Sequence, residues 1–393
     1  MIFNKGVSVQ NRHLAAAVAF ALLVAAFVAL PGHAASTQAS QRYIVVLKES
    51  VANVDGVVNA HSRRSGTKAE KVFRHALKGY VAKLSETQLA DVNADARVAY
   101  VEPDAEMEAW TTQTGATWGI DRIDQRNLPL SGTFTYTATG AGVKAYVIDT
   151  GIRFSHSQFG GRAVSGYDAV DGGSADDCNG HGTHVSGTIG GSTYGVAKGV
   201  QLVGVRVLNC SGSGTTSGVI AGVDWVTGNH AAGQPAVANM SLGGGASSAL
   251  DSAVQRSIND GVSYAIAAGN GNRGGVAQNA CNYSPARVGA AMTIGATDST
   301  DRKASWSNYG SCVDWFAPGV SITSAWYTST TATRTISGTS MATPHTAGVA
   351  ALYLQSNPSA SPATVRSALY SNTTKSIVTS SNTTNNHLLF TNW

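Results

Sequence analysis

The chain has 393 residues, 43% of them hydrophobic and only 13% charged, with a net charge of +4. That length exceeds what one ordinary domain needs, and so small and scattered a charge argues against nucleic acid or a membrane surface as a partner. Four cysteines without metal-site spacing fit an oxidising compartment better than a zinc site.

Lys5, Arg12 and His13 precede an apolar run from Leu14 to Leu30, which ends in Pro31-Gly32-His33-Ala34. This is the plan of a secretory signal over 1–34, with small residues Gly32 and Ala34 placed for cleavage after Ala34. The run is long for a signal, so an uncleaved anchor is the alternative. Residues 35–110 form a second segment. Arg42–Lys48 reads as a strand and Val54–Arg64 as a helix with Val54, Val57 and Val58 inward. Val72–His75 and Gly79–Leu84 read as a hairpin. A helix capped by Ser85 follows, and Val98–Pro103 is a last strand. The order β-α-β-β-α-β is the ferredoxin-like plan.

From Thr111 the composition changes. Residues 111–393 hold 15 Lys and Arg against 13 Asp, and no Glu at all. The runs Lys144–Ile148, Gln201–Leu208, Ala236–Leu242, Val262–Ala267 and Ala291–Gly295 read as strands. His181–Gly190, Thr216–Asn229 and Ser247–Asp260 between them read as helices. Such alternation implies an α/β fold in which a parallel sheet is covered on both faces. Within it, the first strand ends in Asp149-Thr150-Gly151, at the edge where ligands bind in open α/β sheets. Asn179-Gly180-His181-Gly182-Thr183-His184 opens a small-residue helix. Gly338-Thr339-Ser340-Met341-Ala342-Thr343-Pro344-His345 opens an apolar, buried one. Pro344 is expected in its first turn, where amides need no intrahelical partner. A serine at a helix N-terminus faces free N–H donors, which can hold the oxyanion formed when its hydroxyl attacks a carbonyl. The plain alternative is a serine N-cap.

Asp149, His181 and Ser340 stand in the order Asp–His–Ser. With their flanking blocks they make the chain resemble the subtilisin-like serine proteases, in particular the proteinase K-like branch of aqualysin type. The resemblance covers everything after about Thr111. It implies a subtilisin-like three-layer fold with a parallel central sheet, and makes 35–110 an inhibitory propeptide of the 111–393 catalytic domain. It gives Ser340 the role of nucleophile, His181 of base and Asp149 of orienting acid. The side-chain amide of Asn270 becomes an oxyanion donor beside the Ser340 N–H. Ser241, Leu242 and Gly243 would line the primary specificity pocket with Ala268 and Gly269, and Gly212-Ser213-Gly214 would pair with the substrate backbone. Those segments carry no charge, so apolar or aromatic residues are expected before the scissile bond. His184 competes with His181 and could form a metal pair with it, but no Glu follows in zinc-protease spacing. In the family the second histidine is structural.

Four cysteines allow three pairings. The resemblance implies Cys178–Cys210 and Cys281–Cys312. Aspartates cluster at Asp121, Asp124 and Gln125, and again at Asp168, Asp171, Asp176 and Asp177. Oxygen-only sets of this kind suit structural Ca²⁺, and the resemblance adds Asp314 with backbone oxygens near Gly289 and Ala291. Ser186 and Thr346 stand where the family usually has alanine and valine; their hydroxyls are expected to bond a helix carbonyl one turn back. A secreted monomer acting on polypeptides is expected, with self-cleavage near Trp110-Thr111. An esterase is disfavoured because Ala342 replaces the last glycine of Gly-x-Ser-x-Gly. A binding scaffold without activity is disfavoured because all three triad positions and Asn270 are present.

Overall fold

A computed structural model describes residues 40–105 and 111–393, in two compact units. The secretory segment 1–34 and the residues just before Thr111 lie outside that description.

The first unit follows the expected order: β1 (Gln41–Leu47), α1 (Val54–Ser65), β2 (Ala69–Phe73), β3 (Gly79–Leu84), α2 (Glu86–Asn93) and β4 (Val98–Pro103). All neighbours in its sheet, β2-β3-β1-β4, are antiparallel. Its core is Val45, Leu47, Val57, Tyr80, Leu84 and Val92. The helix signals are explicit. Asn53 caps α1 and Gly66 ends it in the left-handed region, while Ser85 and Gln88 form a capping box on α2. His61 is wholly buried, with Nδ1 2.6 Å from the Tyr80 hydroxyl and Nε2 3.0 Å from Asp95 Oδ2.

The second unit starts with β5 (Thr111–Thr114), α3 (Trp118–Ile123) and β6 (Thr133–Tyr136). Then come β7 (Lys144–Asp149), β8 (Ala163–Asp168), α4 (His181–Gly190), β9 (Gln201–Arg206) and α5 (Thr216–Asn229). They are followed by β10 (Ala236–Met240), β11 (Gly244–Gly245), α6 (Ser248–Asp260), β12 (Ser263–Ala267), β13 (Tyr283–Ser284) and β14 (Met292–Thr297). The chain closes with β15 (Trp315–Pro318), β16 (Ile322–Ala325), β17 (Thr333–Ile336), α7 (Thr339–Ser356) and α8 (Pro362–Asn372). The central sheet has seven strands in the order β15-β14-β12-β10-β7-β9-β8, all parallel. Five of the seven match the predicted runs; the two edge strands, β8 and β15, escaped prediction. β8 is Ala-Val-Ser-Gly-Tyr-Asp, with little apolar signal, and β15 is four residues ending in Pro.

Alternation along β7 divides the core into two layers. Ala145 and Val147 join the cluster under α4 and α7, while Tyr146 and Ile148 join the cluster under α5 and α6. Helix α7 is the hub, with 15 of its 18 residues buried. Pro344 is not in its first turn but is its sixth residue. Proline there leaves the Ser340 carbonyl without its helical donor. The Ser241 hydroxyl supplies one instead, at 2.8 Å. No helix among the described residues is long and apolar enough to cross a membrane.

Candidate active site

Three segments converge at the carboxyl end of the sheet. Strand β7 ends on Asp149, which is fully buried; its Oδ1 accepts from the Thr150 N–H at 2.8 Å and faces His181 Nδ1 at 2.7 Å. That contact leaves the other ring nitrogen, Nε2, as the one able to take a proton. Burial alone would lower the His181 pKa, but the Asp149 carboxylate and, less strongly, Asp177 leave it raised above the ordinary value. Its side chain is 25% exposed, so it stays open to a substrate.

The helix that carries His181 is held by a residue the sequence reading placed only among acidic clusters. Asp177 Oδ1 accepts from the Thr150 hydroxyl and the Asn179 and Gly180 amides, each at 2.9 Å. Its Oδ2 accepts from the Thr183 amide and hydroxyl at 2.9 and 2.5 Å. An anion there satisfies orphan donors at the start of α4 and faces the positive end of the helix. Close packing completes the arrangement: a Cβ on Gly182 would lie 2.2 Å from the Gly151 carbonyl oxygen. The signal in the sequence was an aspartate four residues before the histidine.

Ser340 is the second residue of α7. Its hydroxyl donates to the Ser241 carbonyl at 3.0 Å, and no hydrogen bond joins it to His181 in this resting arrangement. Asn270 lines the same cavity. Its Oδ1 accepts from both the amide and hydroxyl of Thr339 at 2.8 Å, which turns Nδ2 away as a free donor. Ser241, Leu242 and Gly243 form one wall of this cavity with Ala268 and Gly269 opposite, in a volume of 820 Å³. Gly269 has φ +102, and a Cβ there would lie 2.4 Å from Asn308 Nδ2. A neighbouring cavity of 570 Å³ holds His181 and Gly212-Ser213-Gly214, and shares the Ser241–Gly245 wall. The structure also brings Arg273 into the first cavity, a charge that the two wall segments lack.

His184 is fully buried and its Nε2 lies 3.0 and 3.1 Å from the Ile322 and Arg334 carbonyls; burial lowers its pKa to about 4. That is a structural histidine, not half of a metal pair. Both disulfides implied by the resemblance, Cys178–Cys210 and Cys281–Cys312, are formed.

The calcium expectations divide. At Asp314 the oxygens already have protein partners. Its Oδ1 is paired with Arg366 Nη2, its Oδ2 accepts from the Thr293 amide at 2.8 Å, and the Ala291 carbonyl accepts from Arg366 Nε at 3.2 Å. A guanidinium therefore occupies the oxygens proposed for the ion, and Gly289 nearby is exposed. Asp168 and Asp171 likewise bind Arg206, at 2.8 and 2.9 Å. At Asp121, Asp124 and Gln125 the residues fit. Asp121 accepts from the Ser131 and Gly132 amides at 3.1 and 2.8 Å, and Gln125 Oε1 from the Ser131 amide at 3.1 Å. Asp124 accepts from the Thr135 amide at 2.7 Å, but its Oδ1 is buried with no partner. Burial and, more weakly, the Asp121 carboxylate push its pKa up to about 6. Two carboxylates and an amide oxygen, with Asp124 Oδ1 left unpartnered, are donors of the kind that suit a hard cation.

Of the two departures from the family pattern, Ser186 does bond back, to the Gly182 carbonyl at 2.7 Å. Thr346 does not: its hydroxyl oxygen accepts from the Trp315 indole N–H at 3.1 Å.

Comparison with known proteins accords with this geometry. Residues 140–389 match the Subtilase family and residues 42–109 match Peptidase inhibitor I9. An extracellular serine proteinase of Thermus sp. is 63% identical over 314 residues, 80% of this chain and 75% of that one. An alkaline serine exoprotease A of Vibrio alginolyticus is 58% identical over 82% of this chain, which spans 60% of that protein's length. The crystal structure of a cold-adapted subtilisin-like serine proteinase superposes with a TM-score of 0.67 at 59% identity, covering 70% of this chain and 98% of that one. The chain belongs to the subtilase family. It is a secreted, subtilisin-like serine endopeptidase preceded by an inhibitor-type propeptide domain.

Proposed function

We propose that Asp149, His181 and Ser340 carry out peptide-bond hydrolysis, with Asn270 and the Ser340 amide holding the oxyanion. The observation that carries this is the 2.7 Å contact between buried Asp149 and His181 Nδ1, with Ser340 and Asn270 in the adjoining cavity. Rotation of the Ser340 side chain off the Ser241 carbonyl brings its hydroxyl toward His181. Nε2 takes the proton as Oγ bonds the substrate carbonyl carbon, and Asp149 stabilises the imidazolium. The carbonyl oxygen, now negative, accepts from Asn270 Nδ2 and the Ser340 N–H. One such side-chain donor is worth about 3–4 kcal/mol, a range measured in subtilisin. His181 then protonates the departing amine, and water cleaves the acyl-enzyme by the same route.

The walls supplied by Leu242, Ala267, Ala268 and Ala286 support a preference for apolar or aromatic residues before the cut bond. Extended substrates would add a strand along Gly212-Ser213-Gly214, so main-chain bonds give affinity and the pocket gives selectivity. Residues 1–34 direct secretion. Residues 35–110 act as propeptide and inhibitor, released by self-cleavage near Trp110-Thr111, and 111–393 are the mature enzyme. Asp121, Asp124 and Gln125 hold a structural calcium ion that neutralises the carboxylate pair.

Labelling with a serine-directed fluorophosphonate tests the assignment. The mass shift should map to the peptide containing Ser340 and be absent in His181→Ala. Modification of another serine, with activity lost in parallel, would reject it.

A further inference from the structure

An arginine that takes no part in the triad lines one side of the primary pocket. Arg273 lines the same cavity as Ser340 and Asn270. Among the described residues, no aspartate, glutamate, lysine or histidine lines that cavity, and no carboxylate lines the adjoining one that holds His181. Among the described residues Arg273 has no ion pair and no side-chain hydrogen bond. Most other arginines of this unit are tied down, such as Arg122 to Asp301, Arg206 to Asp168, Arg287 to Asp251 and Arg366 to Asp314.

The loop that presents it is fastened at both ends. Asn308 Oδ1 accepts from the Gly271 and Gln278 amides at 3.0 and 2.8 Å, and its Nδ2 donates to the Ala268 carbonyl at 2.8 Å. One side chain thus ties the loop to the pocket wall. Inside the loop, Asn272 closes a tight turn: its Oδ1 accepts from the Gly274 and Val276 amides at 2.9 and 3.1 Å, and its own amide donates to the Val276 carbonyl at 2.9 Å. Arg273 sits within this turn, exposed, three residues after Asn270 and in the lining of the same cavity.

We infer that Arg273 is a specificity-determining residue, which extends the pocket's selectivity to glutamate before the scissile bond. This rests on the peptidase reading above. The methylenes of a glutamate would lie along the apolar walls, and its carboxylate would meet the guanidinium at the wetter mouth. Arginine matches a carboxylate with two parallel donors. At an exposed site such a pair is screened, so its effect is about two- to fivefold in rate. A lysine or arginine in the same substrate position would be disfavoured by like charge, and the effect would fade at high salt.

The test compares three peptide p-nitroanilides that differ only in the residue before the cut bond, Phe, Glu or Gln, at pH 8. Glutamine is nearly isosteric with glutamate, so the Glu:Gln ratio of kcat/KM isolates charge. The ratio should exceed one in the wild type, fall about two- to fivefold in Arg273→Ala and drop below one in Arg273→Glu. In the wild type it should shrink toward one in 1 M NaCl. The same Glu:Gln ratio in wild type and both variants would overturn the inference, provided the wild type cleaves the Phe substrate. Failure of the wild type to cleave any of the three would instead overturn the peptidase reading.

Discussion

Asp177 shows how much of an active site is built from groups that touch no substrate. It organises Thr150, the turn before α4 and the first turn of α4 through five hydrogen bonds. Replacing it with alanine leaves those buried donors unpaired and frees the helix that sets His181. A single unsatisfied buried donor costs about 1–3 kcal/mol. Asp177→Asn is the gentler probe, since it keeps the shape and removes the charge. His181 acts as a base only when deprotonated, so the rate should rise with pH through its raised pKa. Removing the negative charge of Asp177 lowers that pKa, and the acid limb of kcat/KM should move to lower pH while kcat falls at every pH. An unmoved acid limb would show that Asp177 acts by shape alone. The triad itself was legible because each member stands in a short motif at an element end. Asp177 and Arg273 were not, because their roles depend on which backbone amides and which cavity the folded chain brings to them.

At the scale of elements, α7 explains a proline that local rules alone misplace. Its sixth position deprives Ser340 of a helical hydrogen bond, and Ser241 repairs the loss from another strand end. The sequence reading had the helix, its burial and its first residues right, yet a donor 99 residues away is invisible to local pattern. Thr346 makes a similar case. Its hydroxyl serves the fully buried Trp315, and Thr346→Val should leave that indole N–H without a partner. The expected cost is about 1–3 kcal/mol in denaturant unfolding, with the kinetic constants near wild type at 25 °C. A stability equal to wild type would mean the indole finds another acceptor. The two missed strands belong here too: β8 buries little of one side and carries a weak apolar signal, while β15 is fully buried but only four residues long and ends in proline.

For the whole molecule, cations and charge partners were the least legible feature. Asp314 lies 52 residues from the arginine that pairs with it, and no motif links them. In the Asp121–Gln125 group a buried carboxylate oxygen, Asp124 Oδ1, has no partner. The linkage sign there is definite. A folded-state pKa of about 6, above the unfolded 3.8, means the native state holds the extra proton, so this group destabilises the fold as pH rises from about 4 to 6. A bound cation replaces the proton and removes the penalty. In EDTA the melting temperature should therefore fall across that range, and added calcium should restore it. Asp124→Asn should abolish most of the calcium response. A calcium response that survives Asp124→Asn would place the ion elsewhere. The ferredoxin-like unit, by contrast, was legible in its element order, because its helices and hairpin are local, although β2 runs Ala69–Phe73 where Val72–His75 was expected. Its His61, with a pKa lowered chiefly by burial, adds stability that is present above the unfolded value and is lost as pH falls below about 6.5.

The proposed release of the catalytic domain from its own N-terminal segment depends on Ser340 chemistry. Ser340→Ala expressed in a protease-free host tests it most directly, with intact-mass measurement of the secreted product. The account predicts a chain retaining the segment up to Trp110 and no measurable peptide hydrolysis, beside a wild type that begins near Thr111. The expected rate loss is on the order of 10⁶-fold, a magnitude established in subtilisin. A Ser340→Ala product that still begins near Thr111, or that retains activity within a few-fold of wild type, would contradict it.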